Sequence, residues 1–143
     1  MRDVSGKLVP LLEDGVPVMI YAGDKDLICN HVGNRRWVDG LEWSGQAAWA
    51  QAKDEDWVSG GGTGGATAAA GSVASSGPLT FVRIFDAGHM SPRDQPQPLL
   101  YMISRFIYGK ELVKAAAAEA EGVVEQGPAS AGRVVRGAGV APA

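Results

Sequence analysis

With 143 residues the chain has room for one modest domain, and its 20 glycines and large alanine share leave fewer positions able to build a core. The net charge of -3 and pI near 5.3 provide no basic footprint, which argues against nucleic acid as a partner. Cys29 has no partner cysteine, so an internal disulfide framework is excluded, and no run approaches the roughly 18 apolar residues of a membrane span, so no membrane partner is expected.

Charges break up MRDVSGKLVPLLEDG before a signal-like apolar core can form. The same stretch predicts a helix over 3–15, with Leu8, Leu11 and Leu12 on one face, Asp3 or Ser5 as cap and Gly15 as stop. Pro17 opens PVMIYAG, a continuous apolar run bounded by turn residues. That is the pattern of a strand covered on both faces, and it points to an α/β sheet. Over 30–43 the spacing of Val32, Trp37 and Leu41 predicts a second helix, weakened by Gly33 and Gly40. Trp37, Trp43, Trp49 and Trp57 then crowd together. The simpler reading makes them packing residues of a segment lying on the sheet; the sharper one has a tryptophan line a substrate cleft.

Residues 60–77 are rich in Gly and Ala with Val73 as the one possible core anchor, the composition of a flexible insertion. Order is expected to resume at TFVRIFDAGH, where Val82 and Ile84 alternate with Phe81, Arg83 and Phe85 in a second strand running into His89. Asp94 and Pro96 then begin a helix in which Leu99, Met102, Ile103, Phe106 and Ile107 recur at helical spacing until Gly109 stops it. From 113 to 143 the Ala/Gly-rich chain has too few large apolar groups to pack and reads as a disordered tail, leaving 1–112 as the domain.

Each of the two strands ends in a loop carrying a chemically capable side chain, Asp26 after the first and His89 after the second. The carboxyl ends of strands are where α/β sheets gather their sites. Alone, an aspartate there is most often a turn or capping residue, and a histidine after Ala-Gly is more often structural. Together, a carboxylate accepting the imidazole Nδ1 proton would make the histidine a general base, in the Asp…His order that closes a Ser…Asp…His triad. No serine of this chain sits in G-x-S-x-G; the nearest imitation, PASAG around Ser130, lacks the first glycine and follows the histidine. The nucleophile is therefore expected upstream, with the chain as a C-terminal portion of a longer hydrolase.

VPVMIYAGDKDLICNHVGNRRWVDGLEW and LTFVRIFDAGHMSPRDQPQPLLYMISRFIYGKEL resemble the closing segment of the serine carboxypeptidases, most closely the carboxypeptidase Y type. The likeness covers about residues 1–112 apart from the Gly/Ala insertion, and the insertion and tail depart from the family pattern. It implies the C-terminal part of an α/β-hydrolase fold and hydrolysis of C-terminal residues of peptides and proteins. By position it makes Asp26 the triad carboxylate, His89 the triad base and Asp24 a motif residue without a catalytic part, and it places Cys29 and Met90 beside the substrate pocket. It further implies peptide or protein C-termini as substrate and the missing N-terminal part of the same enzyme as partner. No metal or organic cofactor is called for, and a vacuolar, lysosomal or secreted location would follow. Two other readings stand beside it: an inert fragment or binding module, and another α/β-hydrolase such as an esterase.

Overall fold

The computed structural model describes residues 5–59 and 69–113. A 3-10 turn at Ser5–Lys7 leads into α1 (Val9–Glu13), which ends where Gly15 takes a φ of +72°. Over its described residues the expected 3–15 helix is one 3-10 turn followed by a short α-helix that buries Leu12, while the Asp3 cap candidate lies outside the described residues. Next come β1 (Val18–Gly23), α2 (His31–Asp39), α3 (Gln46–Trp49), β2 (Glu55–Trp57), β3 (Gly71–Ser76), β4 (Leu79–Ile84), α4 (Ser91–Asp94) and α5 (Pro96–Ile107).

The strands form one sheet in the order β1-β4-β3-β2. β1 and β4 are parallel and in step from Val18 opposite Leu79 to Gly23 opposite Ile84, so their carboxyl ends finish at the same level. β3 returns antiparallel to β4, and β2 antiparallel to β3. Gly77 and Pro78 make the two-residue turn between β3 and β4. Gly77 has a φ of +54°, and because proline cannot follow with a positive φ the turn is of the II′ kind, whose first central position favours glycine.

Strand periodicity divides the core. Val73, Val82 and Ile84 face Leu99 and Met102 of α5 together with Trp57, while Ala74, Leu79 and Phe81 face Leu12, Val38 and Trp49 of α1 to α3. Helices therefore cover both faces, as the run from Pro17 suggested, although β1 is at the edge of the sheet that the described residues form, with Tyr21 exposed. All four tryptophans belong to these clusters: Trp57 on the α5 side, Trp37, Trp43 and Trp49 on the other.

The flexible insertion expected over 60–77 needs correction. Gly71–Ser76 is strand β3, hydrogen-bonded on both sides, and 60–68 lie outside the described residues. Small residues suit this strand. A Cβ at Gly71 would stand 2.6 Å from Trp57 Nε1 and collide with the Arg83 carbonyl. The second helix is also shorter than the predicted 30–43, closing at Asp39 with Gly40 as cap. The last helix starts at Pro96 as expected; Asp94 instead closes the separate α4, and the two helices are parted at Gln95, which precedes a proline and is driven out of the helical region, at φ −132° and ψ 65°. On α5, Leu99 and Met102 are buried and Ile107 is exposed. The tail expected from 113 lies, beyond Val113, outside the described residues.

Candidate active site

The in-step ends of β1 and β4 put two loops side by side. Asp24 N–H donates to Ile84 O and Lys25 N–H to Ala87 O, both at 2.9 Å, so the first loop is sewn to the second before Asp26 is reached. Lys25 Nζ adds a 2.6 Å ion pair with Asp86, a residue at φ +56°. Asp24 points the other way, its Oδ2 3.5 Å from Arg83 Nη2 on β4. Among the described residues Arg83 Nε and Asp24 Oδ1 are buried without a hydrogen-bond partner.

Asp26 is buried, and its carboxylate is fully engaged. Oδ1 accepts the backbone N–H groups of Ile28 and Cys29, each at 3.0 Å, and Oδ2 lies 2.9 Å from His89 Nδ1. An ionised carboxylate only accepts, so the proton in that last bond belongs to Nδ1, and Nε2 is the nitrogen left basic. The His89 side chain is 68% exposed while that of Asp26 is 6% exposed, a buried anchor holding an accessible imidazole.

The hydrogen bond from His89 holds the Asp26 carboxyl below the ordinary aspartate range. Burial pushes it up, and the N–H groups of Cys29 and Ile28 pull it further down. A carboxyl lowered in the folded state contributes stability that is fully present above its unfolded pKa, about 3.9, and that is lost as pH falls through the folded value. Chemical denaturation of the chain between pH 7 and pH 2 is thus expected to show an acid loss of stability that Asp26→Asn reduces. Identical acid limbs for the two proteins would contradict the assignment.

Cys29 is exposed and follows Asp26 closely enough for its sulfur to join the pair. One ligand atom each from Asp26, Cys29 and His89 lie within 4.8 Å of one another, a spacing that could admit a metal ion. The carboxylate is already taken up by two N–H groups and the imidazole, so the arrangement has the form of a carboxylate–imidazole pair with a thiol beside it. Met90 is exposed next to His89 and caps α4, its carbonyl accepting the N–H groups of Arg93 and Asp94. A groove of about 650 Å³ lies elsewhere, lined by Pro17, Met19, Pro78, Phe106 and Leu112, and thus at the amino ends of β1 and β4.

Gly23, Ser91 and Asp94 also shape the site, although of these only Asp94 stands out in the sequence, as the start of a helix. Gly23 lets the two loops touch, and Ser91 and Asp94 hold Gly88. The Ser91 hydroxyl donates to Gly88 O, and Gly88 N–H donates to Asp94 Oδ2, both at 2.8 Å.

A mixed sheet covered on both faces, with the pair at its strand ends, defines a segment of an α/β-hydrolase type of fold. A profile of the serine carboxypeptidase family matches residues 1–109, and the chain belongs to that family. It is 46% identical over 110 residues to serine carboxypeptidase 3 of Oryza sativa subsp. japonica, an alignment covering 77% of this chain and 21% of the relative. It is 43% identical over 109 residues to carboxypeptidase Y of Candida albicans, covering 76% of this chain and 19% of the relative. Among solved structures it is similar to Kex1(delta)p, a prohormone-processing carboxypeptidase from Saccharomyces cerevisiae, with a TM-score of 0.61 and 35% identity over 71% of this chain and 21% of that one. The chain therefore spans about a fifth of the length of these proteins. Among the described residues no helix is long and apolar enough to cross a membrane.

Proposed function

We propose that this chain supplies the acid–base half of a serine-type carboxypeptidase that removes C-terminal residues from peptides and proteins. The observation that carries the reading is the 2.9 Å contact between His89 Nδ1 and Asp26 Oδ2 at the carboxyl ends of adjacent parallel strands. Family membership supports peptide substrates.

In this reading a serine from residues beyond this chain gives its hydroxyl proton to His89 Nε2 as Oγ attacks the scissile carbonyl carbon. Asp26 holds the protonated Nδ1 and stabilises the imidazolium. His89 then passes the proton to the leaving amine, and the acyl-enzyme is released when water attacks with the imidazole again as base. No step draws on a metal or organic cofactor. Cys29 and Met90, exposed on either side of the imidazole in sequence, border the substrate pocket, and a vacuolar, lysosomal or secreted setting accompanies the family role. Without the nucleophile-bearing part the chain is expected to hydrolyse peptides negligibly.

The test uses a full-length protein containing this segment, assayed on an N-blocked dipeptide with a free terminal carboxylate and on simple esters. Release of the terminal residue, together with covalent labelling by a fluorophosphonate, supports the proposal. Ester cleavage without dipeptide cleavage favours an esterase, and failure to label removes the serine mechanism.

A further inference from the structure

Among the described residues little packs against the His89 imidazole, whose side chain stays exposed. Its direction depends on the Asp26 hydrogen bond and on the backbone that carries it, and that backbone passes through Gly88, the residue type with the widest conformational freedom. The structure removes this freedom from both sides. Lys25 N–H holds Ala87 O from the β1 loop, while Ser91 and Asp94 of α4 hold the carbonyl and the N–H of Gly88. The peptide units on either side of the Gly88 Cα are thereby fixed immediately before the histidine.

We propose that Asp94 is a positioning residue for His89, its carboxylate fixing through Gly88 N–H the backbone from which the imidazole meets Asp26. The inference rests on the reading of Asp26 and His89 as the working pair and adds a residue to it. A bond from a backbone N–H to a carboxylate is charge-assisted and among the stronger ones available to a loop. The glycine is part of the device, because a Cβ at Gly88 would stand 3.3 Å from Asp94 Oδ2 and crowd the carboxylate that grips it. Ser91 is 3% exposed, so the hydroxyl on the other side of the same residue is a buried and directional contact. Asp94 does not touch the reacting atoms in this scheme; it acts through the peptide.

The experiment reads the Nδ1–H resonance of His89 by NMR on the 143-residue chain labelled uniformly with 15N, His31 serving as the internal reference. Asp94→Ala is expected to lose that resonance to exchange with water while the backbone spectrum of the sheet stays in place. Asp94→Asn, whose amide oxygen can still accept from Gly88, is expected to keep it. A native-like resonance in Asp94→Ala overturns the proposal, as does equal loss in the Asn and Ala variants. If Asp94→Ala does not fold, Asp94→Ser, polar but too short to reach Gly88, takes its place with the same two outcomes. A missing resonance in the unaltered chain sinks the Asp26–His89 pair itself, and this proposal with it, which separates the two failures.

Discussion

His89→Ala is expected to lower the rate of terminal-residue release by about 10⁶-fold in the full-length protein, leaving what binding and oxyanion stabilisation alone can supply. The size of the effect follows from the chemistry of an alcohol nucleophile, which is almost wholly protonated near neutral pH and must lose its proton as it attacks. Nε2 of His89 is the basic nitrogen that the geometry leaves available, since Nδ1 is committed to Asp26. Asp26→Asn is expected to be milder, about 10⁴-fold. Its amide can still accept from Ile28 and Cys29, so the loop persists, but an amide nitrogen facing Nδ1 donates and drives the ring proton to the wrong nitrogen. Both values come from kcat on a blocked dipeptide, with KM and Tm recorded to show that binding and folding survive. A His89→Ala enzyme within tenfold of the parent would remove this histidine from the mechanism.

The two parallel strands and α5 were legible in the sequence because their signals are local. PVMIYAG is an apolar run between turn residues, and Leu99 and Met102 recur at helical spacing over a region without competing glycines. β3 was hidden because its sequence carries the opposite signal. GSVASS has the composition of a linker, yet in the sheet the missing side-chain volume is supplied by its neighbours: Trp57 fills the space above Gly71, and Phe81 and Trp49 share a cluster with Ala74. A strand between two others needs backbone partners more than side-chain bulk, and composition does not report backbone partners. β2, three residues with two of them exposed, is likewise held by its pairing with β3.

At the site, residue types and their order made Asp26 and His89 candidates, and the fold adds what order cannot contain: that β1 and β4 are neighbours, parallel and in step. Those three relations bring residues 63 positions apart to within hydrogen-bonding distance. Asp24 and Asp26 are indistinguishable by type in GDKD, and the structure separates them by direction. One carboxylate meets Arg83 within the sheet and the other meets the imidazole. The grip of Ser91 and Asp94 on Gly88 was illegible for a similar reason, since a Ser-x-x-Asp run reads as the start of a helix whatever its side chains reach back to hold.

Gly23→Ala is expected to destabilise the chain by about 3 kcal/mol, the upper end of overpacking, and to lower Tm by roughly 12 °C or more. A Cβ at Gly23 would lie 2.6 Å from the Ala87 carbonyl carbon and 2.7 Å from Gly88 O, and it would run into Ala87 O as well. These are backbone atoms, so no rotamer change relieves the overlap. They also sit on the peptides that accept from Lys25 and Ser91, so yielding means breaking bonds that join the two loops. Gly6→Ala is the control, because nothing lies within 4 Å of its Cβ and its φ is not positive. The two variants and the parent are compared by thermal denaturation followed by circular dichroism. The Gly23 variant, where still folded, is expected to have lost the His89 Nδ1–H resonance, because the added carbon is wedged between the backbones that deliver Asp26 and His89. A Gly23→Ala protein as stable as Gly6→Ala would mean that these loops do not abut, and two loops that do not abut cannot hold a carboxylate against an imidazole.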